Sequence, residues 1–182
     1  MTIKILDATV VSTATLCTPS LNFLTRCGDY DLRITPEVQR ELEGCRTRIC
    51  REGLRTMKPK HPNHKRVLEF LQARHPNLHM GELSSFLHAY LECQDEPCYF
   101  VTDDLLMRKK ITEIVEDPMF IDLSGVRPRH LRHTGTVGLI VKLVEKGFIS
   151  REEAGKLHAD LKDSHFHASA RVLEPLRQSA TR

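Results

Sequence analysis

Four short apolar runs, separated by stretches of helical periodicity, constrain the fold of this chain more than any other feature. They are Ile3–Leu6, Leu32–Ile34, Cys98–Thr102 and Met119–Leu123. Short, largely apolar strands that alternate with helices argue a parallel sheet covered by helices on both faces. The expectation is an α/β chain in three layers, α/β/α, around a central, mostly parallel sheet.

The intervening segments carry helix signals. A helix starts near Thr9, and a short one covers Leu21 to Cys27 before Gly28 and Asp29. Thr35-Pro36-Glu37 combines a capping hydroxyl, a proline at the first helical position and a first-turn acid. The helix they open carries Val38 and Leu42 and is expected to run towards Met57. Pro59 and Pro62 mark a loop, and Val67, Leu68, Phe70 and Leu71 form a helix stopped at His75-Pro76-Asn77. Leu83, Phe86, Leu87, Tyr90 and Leu91 recur at helical spacing after Gly81, as do Leu105, Leu106, Ile111, Ile114 and Val115. From Arg127 onward no further strand is expected. Thr134-Gly135-Thr136-Val137-Gly138 leads into a helix through Lys146, Ser150 and Glu153 form a capping box, and a last helix covers Ala168 to Leu176. A core over 1–125 with a helical C-terminal extension over 126–182, packed on it, follows.

The charge balance, 27 basic against 24 acidic residues, is too mild to announce a nucleic-acid binder by itself. The stretch from Arg46 to Arg66 is locally basic and reads as a solvated face or a phosphate-attracting one. No apolar run reaches the length of a membrane-spanning helix. The N-terminus lacks a signal-peptide layout, so a cytoplasmic protein is expected. Two cysteine pairs, Cys45/Cys50 and Cys93/Cys98, make a weak case for structural zinc, and buried free thiols are the plainer reading. His130, His133, His165 and His167 show no ligand spacing.

In an open α/β sheet functional groups collect at the carboxyl ends of the strands. Asp7 closes the first strand, Asp103-Asp104 a later one, and Asp122 ends the fourth run as a spare candidate. Glu41 lies about a turn and a half into the helix after Ile34, and Glu82 opens another. Parallel strands would bring these acids to one edge. Carboxylates gathered without cations repel one another, and a hard divalent ion with oxygen ligands relieves that cost, which points to Mg²⁺ or Mn²⁺. The Thr134–Gly138 segment could offer backbone N–H groups to a phosphate, but it lacks a P-loop lysine, and close packing by Gly135 and Gly138 explains it as well.

The motifs Ile5-Leu6-Asp7-Ala8-Thr9, Ile34-Thr35-Pro36-Glu37-Val38-Gln39-Arg40-Glu41-Leu42, Gly81-Glu82-Leu83 and Phe100-Val101-Thr102-Asp103-Asp104, in that order, resemble the PIN domain, a nuclease family that includes VapC-type toxins. His133-Thr134-Gly135-Thr136-Val137-Gly138, followed by Lys146-Gly147-Phe148 and Phe166-His167-Ala168, resembles an uncharacterised prokaryotic PIN-related family with a helical C-terminus. Two departures stand out: a long basic insert around Arg46 to Pro76, and a Glu rather than an Asp as third acid. The resemblance implies metal-dependent hydrolysis of RNA phosphodiester bonds, an endoribonuclease. Asp7, Glu82 and Asp104 would be the metal ligands, with Asp103 as the alternative to Asp104 and otherwise a helix cap. Glu41 would be a ligand or the group that orients the attacking water. Thr9 and Thr102 would support the carboxylates, and Arg108, Lys109 and Lys110 would meet the RNA backbone. The implied partners are RNA, an antitoxin protein if the chain is a toxin, and a second copy in a homodimer. A PIN-fold module that binds nucleic acid or protein without cutting is the alternative reading, and a zinc-stabilised interaction domain is a third.

Overall fold

The computed structural model describes residues 1–44, 54–94, 96–127, 129–164, 166 and 169–181. Cys45, Cys50, the basic run from Arg46 to Arg51, His165, His167 and Ala168 lie outside the described residues.

Five strands form one sheet in the order β3-β2-β1-β4-β5, with every neighbouring pair parallel. They are β1 (Thr2–Leu6), β2 (Tyr30–Ile34), β3 (Leu54–Thr56), β4 (Cys98–Val101) and β5 (His133–Thr134). Nine helices connect or follow them among the described residues: α1 (Ala8–Ala14), α2 (Pro36–Gly44), α3 (His64–Arg74), α4 (Met80–Leu91), α5 (Leu105–Glu116), α6 (Pro118–Ser124), α7 (Thr136–Glu145), α8 (Arg151–Asp163) and α9 (Ala170–Thr181).

Side chains of successive strand residues point to opposite faces, so β1 and β4 each feed two cores. Ile3 and Ile5 of β1 and Cys98 and Phe100 of β4 join Phe86, Leu87, Tyr90, Ile111, Ile114 and Phe120 on the face covered by α3, α4, α5 and α6. Leu6, Leu32, Ile34 and Val101 join Val10, Val38, Leu42, Val137, Ile140, Leu157, Leu161, Leu173 and Leu176 on the other. Each large side chain removed from water in this way contributes on the order of 1.5–3 kcal/mol. A cation breaks the apolar run of β1. Lys4 is buried, and its ammonium lies 3.6 Å from the ring centre of Tyr99 and 4.7 Å from that of Tyr30. Two aromatic faces supply the attraction that water would otherwise provide, and burial still lowers the amine to about 8.

Three expectations are corrected. The helix opened by Pro36 is described over Pro36–Gly44 and does not reach Met57, because Leu54–Thr56 is a strand that pairs with β2. Met119–Leu123 is not a strand: Asp117 caps the segment by accepting from the Met119 N–H, Pro118 occupies the first turn, and the run is the helix α6. Asp122 therefore stands exposed on a helix and ends no strand. The C-terminal region does hold a strand, β5, whose Thr134 carbonyl accepts from the Thr102 N–H at 2.9 Å.

That region is also woven into the core. Helices α7, α8 and α9 supply Val137, Leu139, Ile140, Leu143, Ala154, Leu157, Leu161, Leu173 and Leu176 to the core beneath β1, β2 and β4. Gly147 ends the α7 segment at φ 76, the left-handed conformation that favours glycine. Ser150 and Glu153 close the capping box of α8.

Candidate active site

Chain order runs outward from β1 to β2 and β3, then returns to the far side of β1 for β4. The sheet therefore reverses direction between β1 and β4, and a crevice opens at the carboxyl ends of such a pair of strands. Asp7 follows β1 and Asp103-Asp104 follow β4, so acids occupy both lips. The Asp7 N–H still donates to the Val101 carbonyl at 3.1 Å, which ties the two lips together.

Asp7 has no exposed surface. Its Oδ1 accepts from the Thr9 hydroxyl at 2.6 Å and from the Val10 N–H at 3.1 Å, capping α1. Its Oδ2 has no partner among the described residues. Burial raises its pKa to about 6, against the opposing pull of the Thr102, Thr9 and Val10 donors. The Thr102 hydroxyl also accepts from the Asp104 N–H at 3.1 Å, so one threonine serves both lips. Thr9 links them a second time by accepting from the Asp103 N–H at 3.4 Å.

Glu82 enters from the N-terminus of α4. Its carboxylate reaches back to the His79 N–H at 3.1 Å, completing a capping box, and the residue is only 6% exposed. Burial raises its pKa to about 7, and the charges of Asp104 and Asp7 push in the same direction. Two carboxylates from other elements thus act on Glu82. Glu41 reaches the same helix end from α2, accepting from the Gly81 N–H at 2.9 Å. A methyl group at position 81 would meet the Glu41 carboxylate at 2.6 Å, so the glycine is what lets the acid approach. Behind this end a buried seam runs from Thr35 to Ser84 at 2.6 Å, and the Ser85 hydroxyl donates to the Leu6 carbonyl at 3.3 Å.

The two consecutive aspartates divide their roles differently from the expectation. Asp104, not Asp103, is the N-cap of α5, accepting from the Met107 N–H. Asp103 caps a different helix: its Oδ1 accepts from the Thr136 N–H at 2.8 Å and its Oδ2 from the Thr136 hydroxyl. Both Asp103 oxygens therefore hold the N-terminus of α7. Burial raises its pKa, opposed by Thr136 and by the Arg108 guanidinium. That contact gives the Thr134-Gly135-Thr136 motif its place. Gly135 leaves room for Asp103 Oδ1, which a side chain there would meet at 2.7 Å. The expectation offered no role for Thr136. Only the addition of β5 beside β4 brings it to Asp103.

The basic candidates separate in the same way. Arg108 lies beside Asp103 and Gly135 at the edge of the crevice. Lys110 pairs with Glu113, and Lys109 is exposed. Cys93 and Cys98 are buried free thiols.

Among the described residues no three His, Cys, Asp or Glu side chains stand close enough to form a ready-made metal cage. The donor chemistry nevertheless suits a hard cation: the acids are oxygen ligands, one oxygen of Asp7 is buried without a partner, and Glu82 is held near Asp7 and Asp104 against their charge. Comparison with family models, with curated proteins and with solved structures finds no match.

Proposed function

We propose that this chain is a PIN-like endoribonuclease that uses Mg²⁺ or Mn²⁺ to hydrolyse RNA phosphodiester bonds. The observation that carries the reading is the buried Asp7 oxygen that has no partner among the described residues, beside the point where the strand order reverses, together with a Glu82 whose charged form is disfavoured by burial and by the charges of Asp104 and Asp7. Structural acids are usually matched by cations; among the described residues Asp7, Glu82 and Asp104 form no ion pair, and a divalent ion would match them.

Asp7, Glu82 and Asp104 would hold the ion. Bound there, it would supply the Lewis acidity that lowers the pKa of a water and neutralises charge on a phosphate oxygen. Thr9 fixes the Asp7 carboxylate through Oδ1 and Thr102 supports it from β4, the orienting work that hydrogen bonds perform around metal ligands. Glu41, held by the Gly81 N–H at the α4 terminus, is placed to orient or deprotonate a water at the rim. Asp103 belongs to the framework: it fastens α7 and keeps Arg108 beside the crevice, where a guanidinium suits a backbone phosphate.

Cleavage of a mixed-sequence single-stranded RNA in Mn²⁺, Mg²⁺ or EDTA tests this. Metal-dependent cutting that Asp7→Asn and Asp104→Asn both abolish is expected. Cutting that survives both substitutions would place the chemistry elsewhere, and no cutting with any metal would favour a module that binds RNA or protein without hydrolysis.

A further inference from the structure

A cleft of about 140 Å³ opens between the α3–α4 turn and the start of α5. One wall is the turn His75-Pro76-Asn77-Leu78, closed by the Leu78 N–H on the His75 carbonyl at 3.0 Å. The other wall is Leu106, with Lys110 a turn further along and Arg74 at the end of α3. Leu106 lies two residues after Asp104, and Leu78 four before Glu82. The cleft and the two carboxylates therefore share the starts of the same two helices, α4 and α5.

Its chemistry differs from that of the crevice. Arg74 is paired to Asp117 at 3.0 Å and Lys110 to Glu113, so the two cations at its edge are already neutralised. What remains open is uncharged. The Asn77 side chain is exposed and makes no hydrogen bond among the described residues. Burial lowers the His75 pKa, which leaves a neutral ring with one donor and one acceptor at physiological pH. The apolar side is equally marked: Leu105 is 63% and Leu106 40% exposed, two adjacent leucines in a first helical turn that the core does not cover.

A site with an apolar wall, an amide and a neutral imidazole, and no net charge, does not suit a phosphate. It suits a flat ring that carries its own donors and acceptors. Single-stranded RNA is read by splaying such rings out of the stack and hydrogen-bonding their edges. We infer that this cleft is a nucleobase pocket that takes the base next to the scissile phosphate and sets the cleavage preference, with Asn77 and His75 reading the base edge and Leu106 packing on its face. The inference rests on the ribonuclease reading for its biological meaning. The pocket itself can be tested apart from catalysis.

Two measurements separate the claims. In the first, adenosine, guanosine, cytidine and uridine are each titrated into the full chain in EDTA, and the Asn77 side-chain amide and Leu106 methyl resonances are followed by NMR. Saturable shifts with one nucleoside, lost in Asn77→Ala and Leu106→Ala, are expected. Both positions are exposed, so these variants keep the fold, and an unchanged melting temperature confirms it. The absence of shifts with all four nucleosides would overturn the pocket. In the second, cleavage sites in a random RNA pool are sequenced for wild type and the same variants. Stacking and edge contacts of this size correspond to preferences of roughly tenfold. The variants are expected to flatten that preference at the flanking position while still cutting. A preference that the variants leave intact would overturn the pocket while sparing the nuclease. Nucleoside binding in a chain that never cuts RNA would do the reverse.

Discussion

A carboxylate that water cannot reach destabilises the fold when it ionises, and Asp7 is that group. Its pKa in the fold is about 6 against an ordinary 3.8, so between these values the unfolded chain binds fewer protons than the native one. Stability therefore falls as pH rises from about 4 to about 6, and Glu82 extends the loss towards about 7. For Asp7 the full effect above that window is on the order of 2–3 kcal/mol. Asp7→Asn keeps a capping oxygen for Thr9 and Val10 but removes the charge. In EDTA near neutral pH it is expected to melt a few degrees higher than wild type, at about 2–4 °C per kcal/mol for a chain of this size. Below about pH 4 the difference should vanish. A variant that melts lower than wild type at neutral pH would contradict the picture. His88 works in the opposite direction. Burial lowers its pKa from 6.5 to about 4, and neither ring nitrogen has a partner among the described residues. The unfolded chain binds its proton first, so stability is lost as pH falls from 6.5 to about 4 and levels off below. His88→Leu removes that loss, and a thermal melt at about pH 5 should show the variant above wild type.

At the scale of elements, each acid near the crevice also ends or starts a helix. Asp7 caps α1, Asp104 caps α5, Glu82 closes the box on α4, and Asp103 fastens α7. The two neighbours Asp103 and Asp104 should therefore respond differently. Asp103→Ala leaves the Thr136 N–H and hydroxyl without their acceptor and is expected to cost about 1–2 kcal/mol, read as a lower urea midpoint. Asp104→Asn, with an equally good capping side chain, should leave the midpoint nearly unchanged and abolish metal-dependent cutting. Equal destabilisation by the two substitutions would show that Asp103 does not clamp α7. From the sequence alone the order of helices and central strands is legible, because Ile3–Leu6 and Cys98–Val101 are short, largely apolar runs set between stretches of helical periodicity. The short edge elements are not. β5 is the two residues His133 and Thr134, and Leu54–Thr56 is polar on its exposed side, so neither carries an apolar pattern. Met119–Leu123 was open to a better reading: Asp117-Pro118 before it is a cap followed by a proline at the first helical position, which outranks a five-residue apolar run.

Across the whole molecule, one topological fact organises the site. The chain lays β1 first and then builds outward on both sides of it, so the residues after β1 and β4 face the same crevice although 94 positions separate Thr9 from Asp103. That Asp7, Glu82 and Asp104 stand at a strand end or a helix start was legible in the sequence. The clamp of Asp103 on Thr136 was not, since it depends on β5 joining the sheet and carrying α7 into place. The last third of the chain is thus part of the site's support.

Calorimetric titration of Mn²⁺ into the wild-type chain, beside Asp7→Asn, tests the central claim most directly. Because Asp7 and Glu82 carry raised pKa values, binding must displace their protons. The account predicts saturable binding to wild type that weakens as pH falls from about 7 to about 5, with measurable proton release in that range, and its loss in Asp7→Asn. Wild-type binding that is absent, or that Asp7→Asn leaves intact, would contradict the account.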